Sequence, residues 1–445
     1  MRSVSATRIR ARGIVVAAAA ITILTLGLAA PAWAAPGPTS TTPDLASAVH
    51  FLATTTTASG SAGTSLAKNG YYESFGTFGD FGLTMDGALA LAAAGTDNTD
   101  LAKVLDFIDQ RSKDGSGNTI DTYTGLGTAF AGGGSIGKEA LLAEVTGNDP
   151  RSFGGHDLIA ALEKIVCTTT DANNGCSAPG NYLFATSTFS QSLGIMAQVR
   201  AGDATNAVAA IAYLESLQNA QGAWPSVLPA GPNPNADVDS TAMAAMTLAL
   251  LPNDATASAA VAKAEAWIAS QQVSDGGFNG AAGESTNSTA LAIQGLALAR
   301  STYSAEIAKA RVFLAGEQNT DGGFSVGPGG QMGSDVRAST QAVGGIVGAS
   351  FGTLSDIVST TPVTAATSTT TISTSTSTTT TAPPSATLGT TATTTPTTAV
   401  AVAAAITASA TLPRTGAGMA RSLQWAGVLL TLGLAAMSLG RRRDL

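Results

Sequence analysis

Histidine and cysteine are almost missing: the 445 residues contain two of each, His50, His156, Cys167 and Cys176. A structural zinc site draws on four such ligands at paired spacings, which these residues do not provide, so neither a metal nor a cofactor is expected. Aromatic residues make up 5% of the chain, too few to read as platforms for sugar rings. Charged residues make up 12%, with 22 basic side chains against 30 acidic ones and a formal net charge of −8. A chain of this sign is a poor partner for nucleic acid.

Two long apolar runs stand at the ends. Arg2, Arg8, Arg10 and Arg12 precede an apolar stretch from about residue 13 to 30, then Ala32-Trp33-Ala34. A basic head, an apolar middle and a small-residue cleavage site predict a signal peptide over 1–34, and hence export. From 354 to 411 the chain turns to Thr, Ser, Ala and Pro with almost no charge. Such a tract buries too little apolar surface to offset its ordering entropy, which predicts a disordered stalk open to O-glycosylation.

Leu412-Pro413-Arg414-Thr415-Gly416 follows, then an apolar run over 423–439 and Arg441 to Arg443. A mostly apolar run of seventeen residues just suffices for a transmembrane helix, and the arginine cluster resists translocation. The order of pentapeptide, span and basic tail over 412–445 resembles the sorting signal of LPXTG surface proteins of Gram-positive, actinobacterial-type bacteria. That resemblance implies that a sortase cleaves between Thr415 and Gly416 and joins Thr415 to peptidoglycan. The five residues are then a substrate, the membrane is a partner only before processing, and the mature protein is secreted and wall-anchored at the cell surface. Loss of both ends leaves 14 basic against 29 acidic side chains, a charge of about −15.

Cys167 and Cys176 bracket a short polar loop, and in an exported chain they predict a local disulfide. His50 and His156 read as surface or capping residues.

Between the ends the chain repeats itself. Gln218, Gln272 and Gln318 occupy matching places in LESLQNAQGAWPS, IASQQVSDGGFNG and LAGEQNTDGGFSV, 54 and 46 residues apart. An amphipathic stretch precedes each segment, and one apolar on all sides follows it: DSTAMAAMTLAL, NSTALAIQGLAL and ASTQAVGGIVGA. The first kind predicts an outer helix and the second an inner, buried one. Fainter copies pair 44–53 with 82–94, 99–111 with 135–145, and 157–166 with 188–199. Six helix pairs between about 43 and 353 predict an all-α ring, with an open solenoid as the alternative.

Gln272 to Phe278 and Gln318 to Phe324 have the form Gln-x-x-Asp-Gly-x-Trp/Phe, and Gln218 to Trp224 differs only in Gln221. On these residues the body resembles the squalene cyclase and protein prenyltransferase superfamily. The resemblance implies an α/α toroid, terpenoid cyclase/prenyltransferase-like. The motif itself reads as structural, with glycines at helix ends and Asp275 and Asp321 bonding turn amides. Extracellular cobalamin carriers share the toroid but add a β-rich domain that this chain lacks, leaving a cobalamin-like or lipid ligand without support.

Asp237-Val238-Asp239-Ser240-Thr241-Ala242 matches five of the six positions of the cyclase motif D-x-D-D-T-A, which implies Asp239 as proton donor with Asp237 beside it. Ser240 replaces the third aspartate, whose charge would help to tune the donor, and the inner helices lack the π faces that guide carbocations. Three readings follow: Asp239, Ser240, Asn287, Ser288 and Ser339 as N-caps or first-turn residues of buried helices; a ligand rim of Asp86, Gln191, Asp239, Asn287 and Arg337, with Lys138 and Glu284 nearby; or acid catalysis. Aligning the Ser-Thr pairs places Ser240, Ser288 and Ser339 at equivalent positions. The favoured expectation is a wall-anchored toroid that binds a small apolar ligand or serves as a display module. The alternative is a terpene cyclase-like or glycan-active enzyme.

Overall fold

Helices of two kinds alternate along the chain in the computed structural model, which describes residues 40–57, 63–231, 234–281, 283–328, 333–356 and 358. The expected signal peptide, nearly all of the stalk, the sorting pentapeptide and the run 423–439 lie outside the described residues. Among those described, no helix is long and apolar enough to cross a membrane.

In chain order the helices are α1 (Leu45–Thr54), α2 (Leu66–Asn69), α3 (Phe81–Ala94), α4 (Asn98–Asp109), α5 (Ile120–Thr124), α6 (Gly133–Val145), α7 (Leu158–Lys164), α8 (Thr188–Arg200), α9 (Val208–Ser216), α10 (Val238–Leu248), α11 (Ala255–Ser270), α12 (Thr286–Leu296), α13 (Ser304–Glu317) and α14 (Val336–Val347). Helices α3, α6, α8, α10, α12 and α14 are buried nearly all round. Helices α1, α4, α7, α9, α11 and α13 each bury one stripe. These are the six pairs that the sequence predicts; the short α2 and α5 are additions.

Each inner helix packs on the next, α3 on α6, then α8, α10, α12 and α14, and α14 returns to α3. The ring is therefore closed. Small side chains make this possible: a Cβ on Gly137 of α6 would lie 2.6 Å from the Gly194 nitrogen of α8, and one on Gly345 of α14 would lie 2.7 Å from the Ala290 Cα of α12. Backbones that approach this closely leave little axial space.

The motif glutamines clamp neighbouring repeats. Gln218 Nε2 donates to the carbonyls of Gly222 (3.0 Å) and Ala260 on α11 (2.8 Å). Gln272 does the same with Gly276 and Glu306 on α13, and Gln318 with Gly322 and Asp44 before α1. The loop glycine faces the same outer helix: Gly322 has φ +91°, and a Cβ there would lie 2.2 Å from the Ser47 carbonyl oxygen. Only glycine combines that conformation with that approach.

Two residues beyond the loop glycine an aromatic side chain is fully buried, as in Trp224, Phe278 and Phe324. Tyr72 and Tyr182 hold the same place in the fainter repeats, after Gly70 and Gly180, whose absent Cβ atoms also face carbonyls of the following outer helices. The backbone N–H of each aromatic donates to a side chain in the first turns of its inner helix: Tyr72 to Thr84, Tyr182 to Gln191, Trp224 to Thr241, Phe278 to Thr289 and Phe324 to Ser339. Repeat two departs from this pattern. There Arg111 bridges Glu139 and the Phe153 carbonyl.

Candidate functional site

The starts of the inner helices carry the polar residues that the sequence singles out. Asp80, Ser187, Asp237, Ser285 and Asp335 cap α3, α8, α10, α12 and α14, each accepting the N–H three residues on. Helix α6 starts on Gly132 without a side-chain cap.

These caps correct the expected register. Asp239, Ser240, Asn287, Ser288 and Ser339 are first-turn residues, one of the two places expected for them, and it is the Ser-Thr alignment that the caps correct. Helix α14 is shifted by one residue against the Ser-Thr alignment: Ser339 takes the place of Thr241 and Thr289, and Arg337 that of Asp239 and Asn287. Hydrogen bonding decides the alignment, because Ser339 Oγ accepts the Phe324 N–H as Thr241 accepts that of Trp224.

Asp237 is occupied by its capping role. Its Oδ2 accepts from the Ser240 N–H (2.9 Å) and Ser240 Oγ (2.6 Å), and its Oδ1 from the Ala281 N–H (3.2 Å). Asp239 is buried in the first turn of α10 beneath the hairpin Asn279–Gly280/Gly283–Glu284, where a Cβ on Gly280 would meet both Ser288 Oγ and Asp239 Oδ1. Asn287 is likewise buried.

Two of the expected rim residues come together. Asp86 Oδ1 accepts from Lys138 Nζ at 2.6 Å, and Arg337 Nη1 lies 3.4 Å from Asp86 Oδ2. Arg337 also reaches Asp80 at 3.8 Å, which places an ion network across the α14–α3 seam. Burial pulls the Lys138 ammonium down, but the Asp86 carboxylate more than restores it, so its pKa stands above the ordinary value. Gln191 does not join them: its amide accepts from the Tyr182 N–H and donates to the carbonyls of Gly180 and Ala210, in the outer layer.

Glu284 meets Asp275 instead of the ion network. Burial, and then the Asp275 carboxyl hydrogen-bonded to it, push Glu284 up to about 7. Asp275 and Asp321 accept the Gly277 and Gly323 N–H groups as the turn reading requires. In the third motif loop Asn219 supplies that acceptor for Gln221 and Ala223. Cys167 and Cys176 form the expected disulfide, with Cα atoms 5.6 Å apart. Among the described residues no group of three His, Cys, Asp or Glu side chains is placed to hold a metal ion.

Close packing of the inner helices leaves a small cavity at the axis. Asp86, Leu89, Ala90, Phe189, Gln294 and Gln341 line a cavity of about 20 Å³ with residues of the segment after α14. That volume accommodates about one water molecule.

A family model agrees with this architecture over part of the chain. Residues 155–329 match the family model described as the prenyltransferase alpha-alpha toroid domain. The fold is an α/α toroid, and its repeats over residues 155–329 are similar to that model. No curated protein matches the chain. Similar solved structures include a protein from Actinoplanes (18% identity, TM-score 0.47, covering 68% of this chain and 99% of that one). Others are the type II terpene cyclase MstE from Scytonema (16%, TM-score 0.45, 68% and 96%) and a possible member of the GH105 family from Salmonella enterica (12%, TM-score 0.43, 68% and 92%). At such identities no activity carries across.

Proposed function

We propose that the chain is a secreted surface protein that sortase joins to peptidoglycan, and that its toroid is displayed as a non-catalytic module. The anchoring reading rests on Leu412 to Gly416, the apolar run 423–439 and Arg441 to Arg443, in that order. One observation carries the reading of the toroid: the cavity lined by Asp86, Leu89, Gln294 and Gln341 is about 20 Å³, far below the several hundred Å³ of a typical small-molecule site. The engagement of Asp237 as a helix cap supports it, because both of its carboxylate oxygens are already taken up by the Ser240 N–H, the Ser240 hydroxyl and the Ala281 N–H.

Expression in a Gram-positive host tests both halves. The protein is expected in the wall fraction released by muramidase, with Thr415→Ala shifting it to membrane and medium. Recovery of Thr415→Ala in the wall at the original level contradicts the anchoring reading. Turnover of a polyprenyl substrate by the purified protein, abolished by Asp239→Asn, contradicts the non-catalytic one.

A further inference from the structure

The segment that follows α14 runs across the end of the ring where the inner helices finish. Ala349, Phe351 and Leu354 line the axial cavity, and Ser350 and Leu354 are buried. Arg200, the last residue of α8, holds the segment: Nη1 donates to the carbonyls of Phe351 and Gly352, and Nη2 to that of Leu354 at 2.9 Å. Its Nε pairs with Glu144 of α6 at 3.1 Å. The Asp356 N–H donates to the Val145 carbonyl at 2.7 Å, and a Cβ on Gly352 would lie 2.8 Å from the Met246 carbonyl oxygen. One guanidinium thus fastens three carbonyls of a segment that has no helix or strand of its own.

Beneath it lies an unmet polar group. Gln294 of α12 is fully buried and lines the cavity, yet neither end of its amide has a hydrogen-bond partner among the described residues. Gln341 Oε1, on α14 at the same cavity, is likewise unpartnered. A buried amide in this state carries a desolvation penalty that a bound polar group removes. Asp86 and Thr340 add polar groups to the lining, while Leu89, Ala90, Ala93, Phe189, Phe351 and Leu354 give it an apolar wall.

We propose that residues 349–356 form a releasable plug latched by Arg200, and that its withdrawal opens the axis to a short aliphatic molecule ending in a neutral carboxamide or similar donor-acceptor head, which pairs with Gln294. The inference concerns the toroid alone and stands whether or not the chain is wall-linked. It goes beyond display by giving the ring a closed and an open state.

The test uses the full chain carrying Ala90→Cys, a lumen-facing position whose label distinguishes the two states. The native cysteines are joined to each other and do not react. Maleimide labelling is expected to be slow in this background and at least tenfold faster when Arg200→Gln is added. Leu354→Ser, which leaves no buried charge unpaired, is expected to act in the same direction and covers the case in which Arg200→Gln fails to fold. Hydrogen exchange separates release from unfolding: the Asp356 amide speeds up at least tenfold while the amides of α12 and α14 keep their protection. Millimolar hexanamide is expected to slow labelling of the released protein at least threefold, and Gln294→Leu to abolish that protection. Labelling that stays within twofold in both released variants overturns the plug. Fast labelling that hexanamide does not slow overturns the site.

Discussion

Gln318 holds Asp44 by both of its main-chain polar groups: Oε1 accepts the Asp44 N–H at 2.7 Å and Nε2 donates to the Asp44 carbonyl at 2.8 Å, across 274 residues of sequence. The same side chain in the two preceding repeats ties each repeat to the next outer helix. In the last repeat the next outer helix is the first, so a repeat contact becomes a ring closure.

Replacing that glutamine therefore tests closure. Gln318→Leu removes hydrogen bonds at the seam and is expected to cost about 1 kcal/mol. Gln272→Leu, inside the array, should cost a similar amount. Denaturant midpoints measure both, and an unchanged midpoint for Gln318→Leu beside a lowered one for Gln272→Leu would mean that the seam carries no load.

Tyr72 and Tyr182 are expected to behave as repeat aromatics. Truncating Tyr72, Tyr182 or Phe278 to Ala removes a fully buried ring, at about 3–5 kcal/mol each. Calorimetry that finds Tyr182→Ala nearly neutral would remove the fainter repeats from the scheme.

Stability should fall as pH rises from about 4.5 toward 8. Burial raises Glu139 to about 7 and Glu144 to about 8, against the opposing pull of Arg111 and Arg200 respectively. The folded state then holds protons that the unfolded chain has released, so the stabilising contribution is complete below about 4.5 and disappears as pH passes the folded values. Thermal melts across this range are expected to decline, and to decline less steeply in Glu144→Gln. A melting temperature that climbs over the same range would reverse the sign.

Capping by Asp237 predicts a stability cost of about 0.5–2 kcal/mol for Asp237→Ala. Ser240→Ala, which keeps the cap's bond to the Ser240 amide, should cost less. Equal losses in urea titrations would return the cap to the Ser-Thr pair.

Much of the ring was readable from period and polarity. The outer helix expected over 44–53 is α1 and the inner one over 82–94 is α3, because all-round apolarity against one-sided apolarity is a local signal. Tyr72 and Tyr182 are hidden in the sequence because their repeats lack the Gln-x-x-Asp head and keep only Gly-x-Tyr, as in Gly70-Tyr71-Tyr72 and Gly180-Asn181-Tyr182. Register was harder to read at helix starts, where hydroxyls and carboxyls both suit a cap and only hydrogen bonding separates Asp335 from Ser339. The pairing of Asp86 with Arg337 has no signal in the sequence, since 251 residues separate them and only closure of the ring joins them. Arg200 gave no local signal, as its partners lie on α6 and beyond α14.

The central claim, that the axis of the ring is filled, is tested most directly by making Ala90 larger. Ala90 is 3% exposed and lines the cavity of about 20 Å³. In a filled axis Ala90→Phe forces its neighbours apart and is expected to lower unfolding free energy by about 1–3 kcal/mol or more. An open substrate chamber would accept the ring without loss, so an unchanged or raised stability for Ala90→Phe in equilibrium denaturation would contradict the account.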